Sequence, residues 1–146
     1  MNAISSAAKP EGADCDVQEA VRIVFGRVLS CFSEEDSLVA ERQQHGIRVA
    51  YTPGSASPDP RDPTVLRFSF CCETNEMWIG SLSVAAPFRS SGLGCELVQV
   101  AEETARRMGI RTVNVFPYVS VASFWEKMGY QPHPCTARVL TKHLSK

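Results

Sequence analysis

The chain has 146 residues, 44% of them apolar and 21% charged, with 15 basic against 16 acidic side chains. A formal charge of −1 excludes the basic excess that binding to nucleic acid or to an anionic membrane demands. No run approaches the roughly 18 apolar residues of a spanning helix, and the length suits one domain that buries roughly 70% of its unfolded surface.

The first ten residues lack the basic start and apolar stretch of a secretory signal, so the expected location is the cytoplasm. Residues 1–13, rich in Ala, Ser, Gly and Lys, are expected as a flexible N-terminal arm, and residues 14–146 as a single domain. Asp14 or Asp16 offers a helix cap, after which Val17, Val21, Val24, Val28 and Phe32 recur at helical spacing. Ser33 to Asp36 interrupts that stripe and caps a second short helix, expected to reach about Gln44. Alternation over Ile47 to Tyr51 predicts a strand. Four prolines within residues 53–63 then predict a long surface loop, placed either as a connector or over a site.

Val65, Phe68 and Phe70 mark the next strand and Met77 to Val84 the one after, joined by a hairpin turn over Glu73 to Glu76. Leu82 to Leu97 is the stretch that carries chemistry. An apolar strand runs through Pro87 into Arg89-Ser90-Ser91-Gly92-Leu93-Gly94 and opens a helix expected to continue to Met108. Glycines at 92 and 94 let successive N–H groups point at one anion, the helix start adds unpaired donors, and Arg89 adds a planar charged fork. Neither Gly-x-x-x-x-Gly-Lys-Ser/Thr nor Gly-x-Gly-x-x-Gly is present, which argues against P-loop and dinucleotide-binding domains.

Arg111 to Phe116 predicts a strand beyond that helix, parallel to and beside strand 77–84 because strand–helix–strand makes a crossover. A short helix over about 121–128, closed by Gly129, and a strand over 137–144 complete the chain. The six cysteines, Cys15, Cys31, Cys71, Cys72, Cys95 and Cys135, have neither Cys-x-x-Cys spacing nor a histidine partner at zinc-finger spacing, so reduced thiols are expected and no metal site. His45, His133 and His143 stand isolated.

Val84, Arg89, Gly92 and Gly94 match in order and spacing V-x-x-x-x-(Q/R)-x-x-G-x-(G/A), and Phe124, Lys127, Gly129 and Tyr130 match F-Y-x-K-x-G-F with Trp125 in place of the tyrosine. The chain thereby resembles the GCN5-related N-acetyltransferase (GNAT) superfamily, well over about residues 77–131 and by layout elsewhere. The resemblance implies an α+β fold: a central mixed, mostly antiparallel sheet flanked by helices, with the strand–glycine turn–helix–strand crossover at the cofactor site. It implies acetyl-CoA as cofactor, held by Leu82, Ser83, Val84, Arg89, Ser90, Ser91, Gly92, Leu93, Gly94, Cys95, Phe124 and Trp125. The implied reaction is attack of a primary amine on the thioester, with the Val84 amide as oxyanion donor.

The superfamily's base, a Glu on the strand before the glycine turn, points to Glu76 or to Glu73, with water as the alternative. The usual acid is the tyrosine that Trp125 replaces, which leaves Tyr118, Ser123 or solvent. A catalytically weak or inactive coenzyme A-binding module of the same fold is therefore the alternative function. The partner is an amine acceptor of unknown class, small molecule or protein, with no nucleic acid and no membrane. Dimers are frequent in the superfamily, so the resemblance leaves a homodimer open.

Overall fold

The computed structural model describes residues 10–54, 61–62, 64–71, 73–89, 91–117 and 122–144. The first helix, α1 (Pro10–Val28), begins four residues earlier than the expected arm allowed, with Pro10 supplying a backbone angle suited to a first turn. Val21, Val24 and Phe25 are buried along one side, and Leu29 follows just past the helix end. Phe32 lies beyond the helix and packs against Phe25 and Tyr51, with ring centroids 6.0 and 6.1 Å away.

Residues 33–44 depart from the expected helix. They form a turn and then β1 (Ser37–Gln43), which pairs antiparallel with β2 (Gly46–Thr52) along its whole length across a two-residue turn. Asp36 caps no helix. Its buried carboxylate accepts hydrogen bonds from Ser33 N (3.0 Å), Tyr51 OH (2.7 Å) and Gly54 N (2.6 Å), so it ties the start of β1 to the end of β2. Burial pushes its pKa up, but these bonds to Gly54, Tyr51 and Ser33 outweigh that and hold it below the usual carboxylate value. Leu38 and Ala40 face the core, which a strand with period two permits.

The sheet continues with β3 (Val65–Cys71), β4 (Glu76–Ser83), β5 (Thr112–Val115), β6 (Gln131–Pro132) and β7 (Leu140–His143), in the order β1-β2-β3-β4-β5-β7-β6. All pairings are antiparallel except β4 with β5, the crossover the sequence predicts. Asn75, at φ 60°, turns β3 into β4, a conformation asparagine tolerates. Helix α2 (Leu93–Arg107) makes the crossover, and a six-residue helix, α3 (Ala122–Lys127), precedes β6. The helices α1 and α2 pack on each other and over one face of the sheet, where Val49, Tyr51, Leu66, Phe68, Met77, Ile79, Val113, Leu97 and Ala101 form the core. Among the described residues the opposite face of β1 to β4 carries no helix, and no helix is long and apolar enough to cross a membrane.

Candidate active site

Two breaks in regular pairing coincide on β4. Its register with β3 shifts by a bulge, Arg67 facing Ser81 while Phe68 faces Ile79, which leaves Gly80 as the extra residue. Its parallel pairing with β5 ends at Ile79 and Val115, whereas its pairing with β3 runs on to Ser83. From Gly80 onward β4 therefore presents an edge with no strand partner on the β5 side among the described residues. A cavity of about 680 Å³ opens there, lined by Leu82, Ser83, Val84, Phe88, Arg89, Gly92, Gly94, Cys95, Phe124 and Trp125. Nine of these ten are residues the sequence singles out, and Phe88 is the addition.

The N-terminus of α2 closes one side. Gly92 takes a left-handed φ of 88°, which only glycine adopts at low cost, and among the described residues no side chain caps the helix. The first-turn N–H groups are thus left for an outside acceptor. Glu96 is the one acidic residue in that turn, and its carboxylate is drawn aside by Ser30, whose N–H and hydroxyl both donate to it at 2.9 Å. Gly94 has ordinary helical geometry, and a Cβ there meets Phe124 at 3.6 Å and Val84 at 3.7 Å, plain van der Waals contact. Neither backbone nor packing requires that glycine, so the open space in front of it is free for a ligand.

Arg89 is engaged differently from the free fork the sequence implies. Its Nε donates to the Val84 carbonyl (2.8 Å) and its Nη2 to Asp62 (2.9 Å), while the other Asp62 oxygen accepts from Ala86 N (2.8 Å). The guanidinium therefore braces the turn and pins the end of the 53–63 loop beside the cavity. Residues 55–60 and 63 of that loop lie outside the described residues, as do Ser90 and Tyr118.

The opposite wall is held from behind. Trp125 is buried edge-on between Phe124 and Tyr130, at centroid distances of 5.3 and 5.1 Å. Tyr130 OH donates to Glu102 of α2 (2.8 Å), and Lys142 Nζ of β7 reaches both Glu102 oxygens at 3.1 and 3.2 Å and the Met128 carbonyl at 2.8 Å. Burial, and then the Glu102 charge, push the Tyr130 phenol far up, so it stays a neutral donor. Gly129, at φ 97°, lets the chain turn against Lys142.

Not every expected residue gathers here. Glu76 begins β4, eight positions before Val84 and roughly 26 Å away at about 3.3 Å per residue. It accepts a hydrogen bond from the Asn114 amide at 3.2 Å. Glu73 sits in the hairpin turn against His45 at 2.9 Å. Ser123 is exposed on α3, and Ser91 and Leu93 line a separate cavity of about 160 Å³ with Ser30, Cys31 and Glu96. Among the described residues no carboxylate lines the large cavity, and no group of His, Cys, Asp or Glu is placed to hold a metal ion.

An open strand edge here runs up to a helix start whose backbone N–H groups suit an anion, within an α+β fold. A sequence model of the Acetyltransferase (GNAT) family matches residues 14–130, and the chain belongs to that family. Acetyl-CoA is the family's coenzyme. Among solved structures the chain is similar to GCN5 from Tetrahymena, with TM-score 0.55, 10% identity and coverage of 90% of this chain and 88% of that one. It is similar also to a putative N-acetyltransferase from Lactobacillus plantarum, with TM-score 0.51, 22% identity, and coverage of 91% and 92%. The PaiA N-acetyltransferase from Thermoplasma acidophilum, solved in complex with coenzyme A, aligns at TM-score 0.49 and 14% identity over 68% of this chain, which spans 61% of that protein. At these identities the likeness is one of fold. No curated protein matches the chain in sequence.

Proposed function

We propose that the protein is an acetyl-CoA-dependent N-acetyltransferase that moves an acetyl group onto a primary amine. The observation that carries this reading is the cavity where the unpaired edge of β4 meets the uncapped N-terminus of α2. Acetyl-CoA supplies there an acetyl thioester on a long amide arm ending in a pyrophosphate. The backbone of Leu82 to Val84 pairs with that arm as an added strand, and the N–H groups from Gly92 to Cys95 take the pyrophosphate charge, helped by the helix dipole. Leu93 contributes through its backbone, and it lines the other cavity with Ser91.

The Val84 N–H donates to the thioester oxygen as negative charge grows on it. Phe124 and Trp125 close the wall and exclude water. With Glu76 far along the strand, the amine gives its proton to water leading out to solvent. No acid from the chain is required, because an ordinary thiol, near 8.5, leaves readily as thiolate. Trp125, with no proton to donate, is compatible with that.

The test combines thermal unfolding with a free-thiol assay on a panel of primary amines. Stabilisation by acetyl-CoA together with amine-dependent thiol release and an acetylated product supports the reading. Stabilisation without turnover for any amine favours the coenzyme A-binding module instead, and no stabilisation at millimolar acetyl-CoA refutes both.

A further inference from the structure

The bare face of the sheet holds a second cavity, of about 470 Å³, whose floor follows from strand register. Arg48 on β2 stands opposite Glu41 and Ser69, Arg67 on β3 stands opposite Ala50 and Ser81, and Ser69 stands opposite Trp78. The two arginines are diagonal neighbours on adjacent strands, about 7–8 Å apart at their Cβ atoms. Both are exposed, and neither makes a hydrogen bond or ion pair among the described residues. One carboxylate, Glu41, also lines the cavity, beside Arg48 and two strands from Arg67, so the cavity carries two positive charges against one negative.

Trp78 lines one wall, and its neighbour Phe116 stands outside the lining. Trp78 stacks on Phe116 at 5.5 Å with planes 24° apart, and Phe116 is 63% exposed, an unusual cost for a ring that serves packing alone. The lining of this cavity adjoins that of the coenzyme cavity along β4. Trp78, Gly80 and Ser81 line the first and Leu82, Ser83 and Val84 the second, and the bulge at Gly80 is where β5 has already parted from β4. A molecule lying on the bare face thus lies beside the strand whose next residues line the coenzyme cavity.

We propose that this face is the acceptor subsite and that it selects a primary amine bearing a carboxylate and an apolar or aromatic body, an amino-acid-like acceptor; the proposal rests on the acetyltransferase reading above. Arg67, directly across from Ser81, takes the carboxylate in its planar fork, with Arg48 adding charge from the next strand. Trp78 and Phe116 pack the body. The net single positive charge suits a monoanionic carboxylate better than a dianionic phosphate. Glu41 lies three strand spacings from β4, about 14 Å, too far to take the amine proton directly. The amine nitrogen bonds to the acetyl carbon, the carbon–sulfur bond breaks with its electron pair on sulfur, and the proton lost by nitrogen leaves through water.

The experiment measures thiol release at saturating acetyl-CoA, with saturation established by thermal shift. It compares L-phenylalanine with L-phenylalaninamide and 2-phenylethylamine, L-leucine with L-leucinamide, and O-phosphoethanolamine with ethanolamine. The acids should exceed their neutral counterparts by about 10–100-fold in kcat/KM. Arg67→Gln should raise KM for the acids by a similar factor with kcat little changed, Arg48→Gln by less, and Arg67→Lys should recover part of the loss. These exposed strand positions tolerate such changes in folding. Equal use of amides and acids, a preference for the phosphate, unchanged KM in Arg67→Gln, or no turnover of any acid with acetyl-CoA bound overturns the proposal. Absence of any acetyl-CoA shift instead removes the coenzyme reading, and the proposal with it.

Discussion

Gly94→Ala separates what the fold asks of this residue from what a ligand asks. Gly94 sits in the first turn of α2 outside the left-handed region, and the new methyl group meets only Phe124 and Val84, at 3.6 and 3.7 Å. Alanine in place of a helical glycine stabilises by about 0.5–1 kcal/mol. At about 2–4 °C per kcal/mol for a domain near this size, the free protein should melt about 1–4 °C higher. The same methyl group stands on the wall of the coenzyme cavity and should weaken acetyl-CoA binding by about tenfold or more, near 1.4 kcal/mol. With ligand at about a hundred times the parent's Kd, the parent gains about 2.7 kcal/mol and roughly 5–10 °C. The variant, then at about ten times its own Kd, gains about 1.4 kcal/mol and roughly 3–6 °C. Scanning calorimetry of both proteins with and without acetyl-CoA gives the four melting points. A free variant that melts lower contradicts the packing around Gly94; a stabilised variant with an undiminished ligand shift shows that the coenzyme does not lie against it.

Lys142→Met should cost about 3–5 kcal/mol in denaturant unfolding, because it removes the cation paired with Glu102, which is only 4% exposed. Adding Glu102→Met should recover most of that loss, and a single variant costing under about 1 kcal/mol would show the pair to be idle. Asp36→Asn should cost about 1–3 kcal/mol at neutral pH. Since the folded carboxylate lies below its unfolded value, its contribution is full above about pH 4 and fades as pH falls through the folded value, so the gap between parent and variant should close in acid. A gap independent of pH refutes that assignment. Trp125→Phe should leave kcat within about threefold, since the indole has no proton to give, and a loss beyond about a hundredfold in a folded variant would give Trp125 a chemical role.

The parts of the site legible in the sequence are those made by near neighbours in the chain. Strand, glycine turn and helix from Leu82 to Leu97 are set by Gly92, which must take a positive φ, and by the apolar stripe of α2, and β4, Gly92 and α2 form as read. The parallel crossover to β5 follows from handedness and connection length alone. The same local reading failed at residues 37–43. Leu38, Val39 and Ala40 satisfy either period, and only pairing with β2, with Asp36 tied to Tyr51 and Gly54, selects a strand.

Glu76 illustrates the converse error. Nearness along the chain put it before the glycine turn, but a strand extends about 3.3 Å per residue, so eight positions carry it out of reach of the cavity. Arg48, Arg67, Glu41 and Trp78 carried no motif and were passed over, because what joins them is register across four strands. The sequence by itself determined the glycine turn, the crossover and the family to which they belong, since the backbone angles and helix start involved are properties of residues in contact along the chain. The tertiary structure alone decided that β5 leaves β4 at Gly80, that Lys142 meets Glu102 and that two arginines share the open face. Each of these depends on which distant segments pair and in what register, a choice made by burial and hydrogen bonding across the whole sheet.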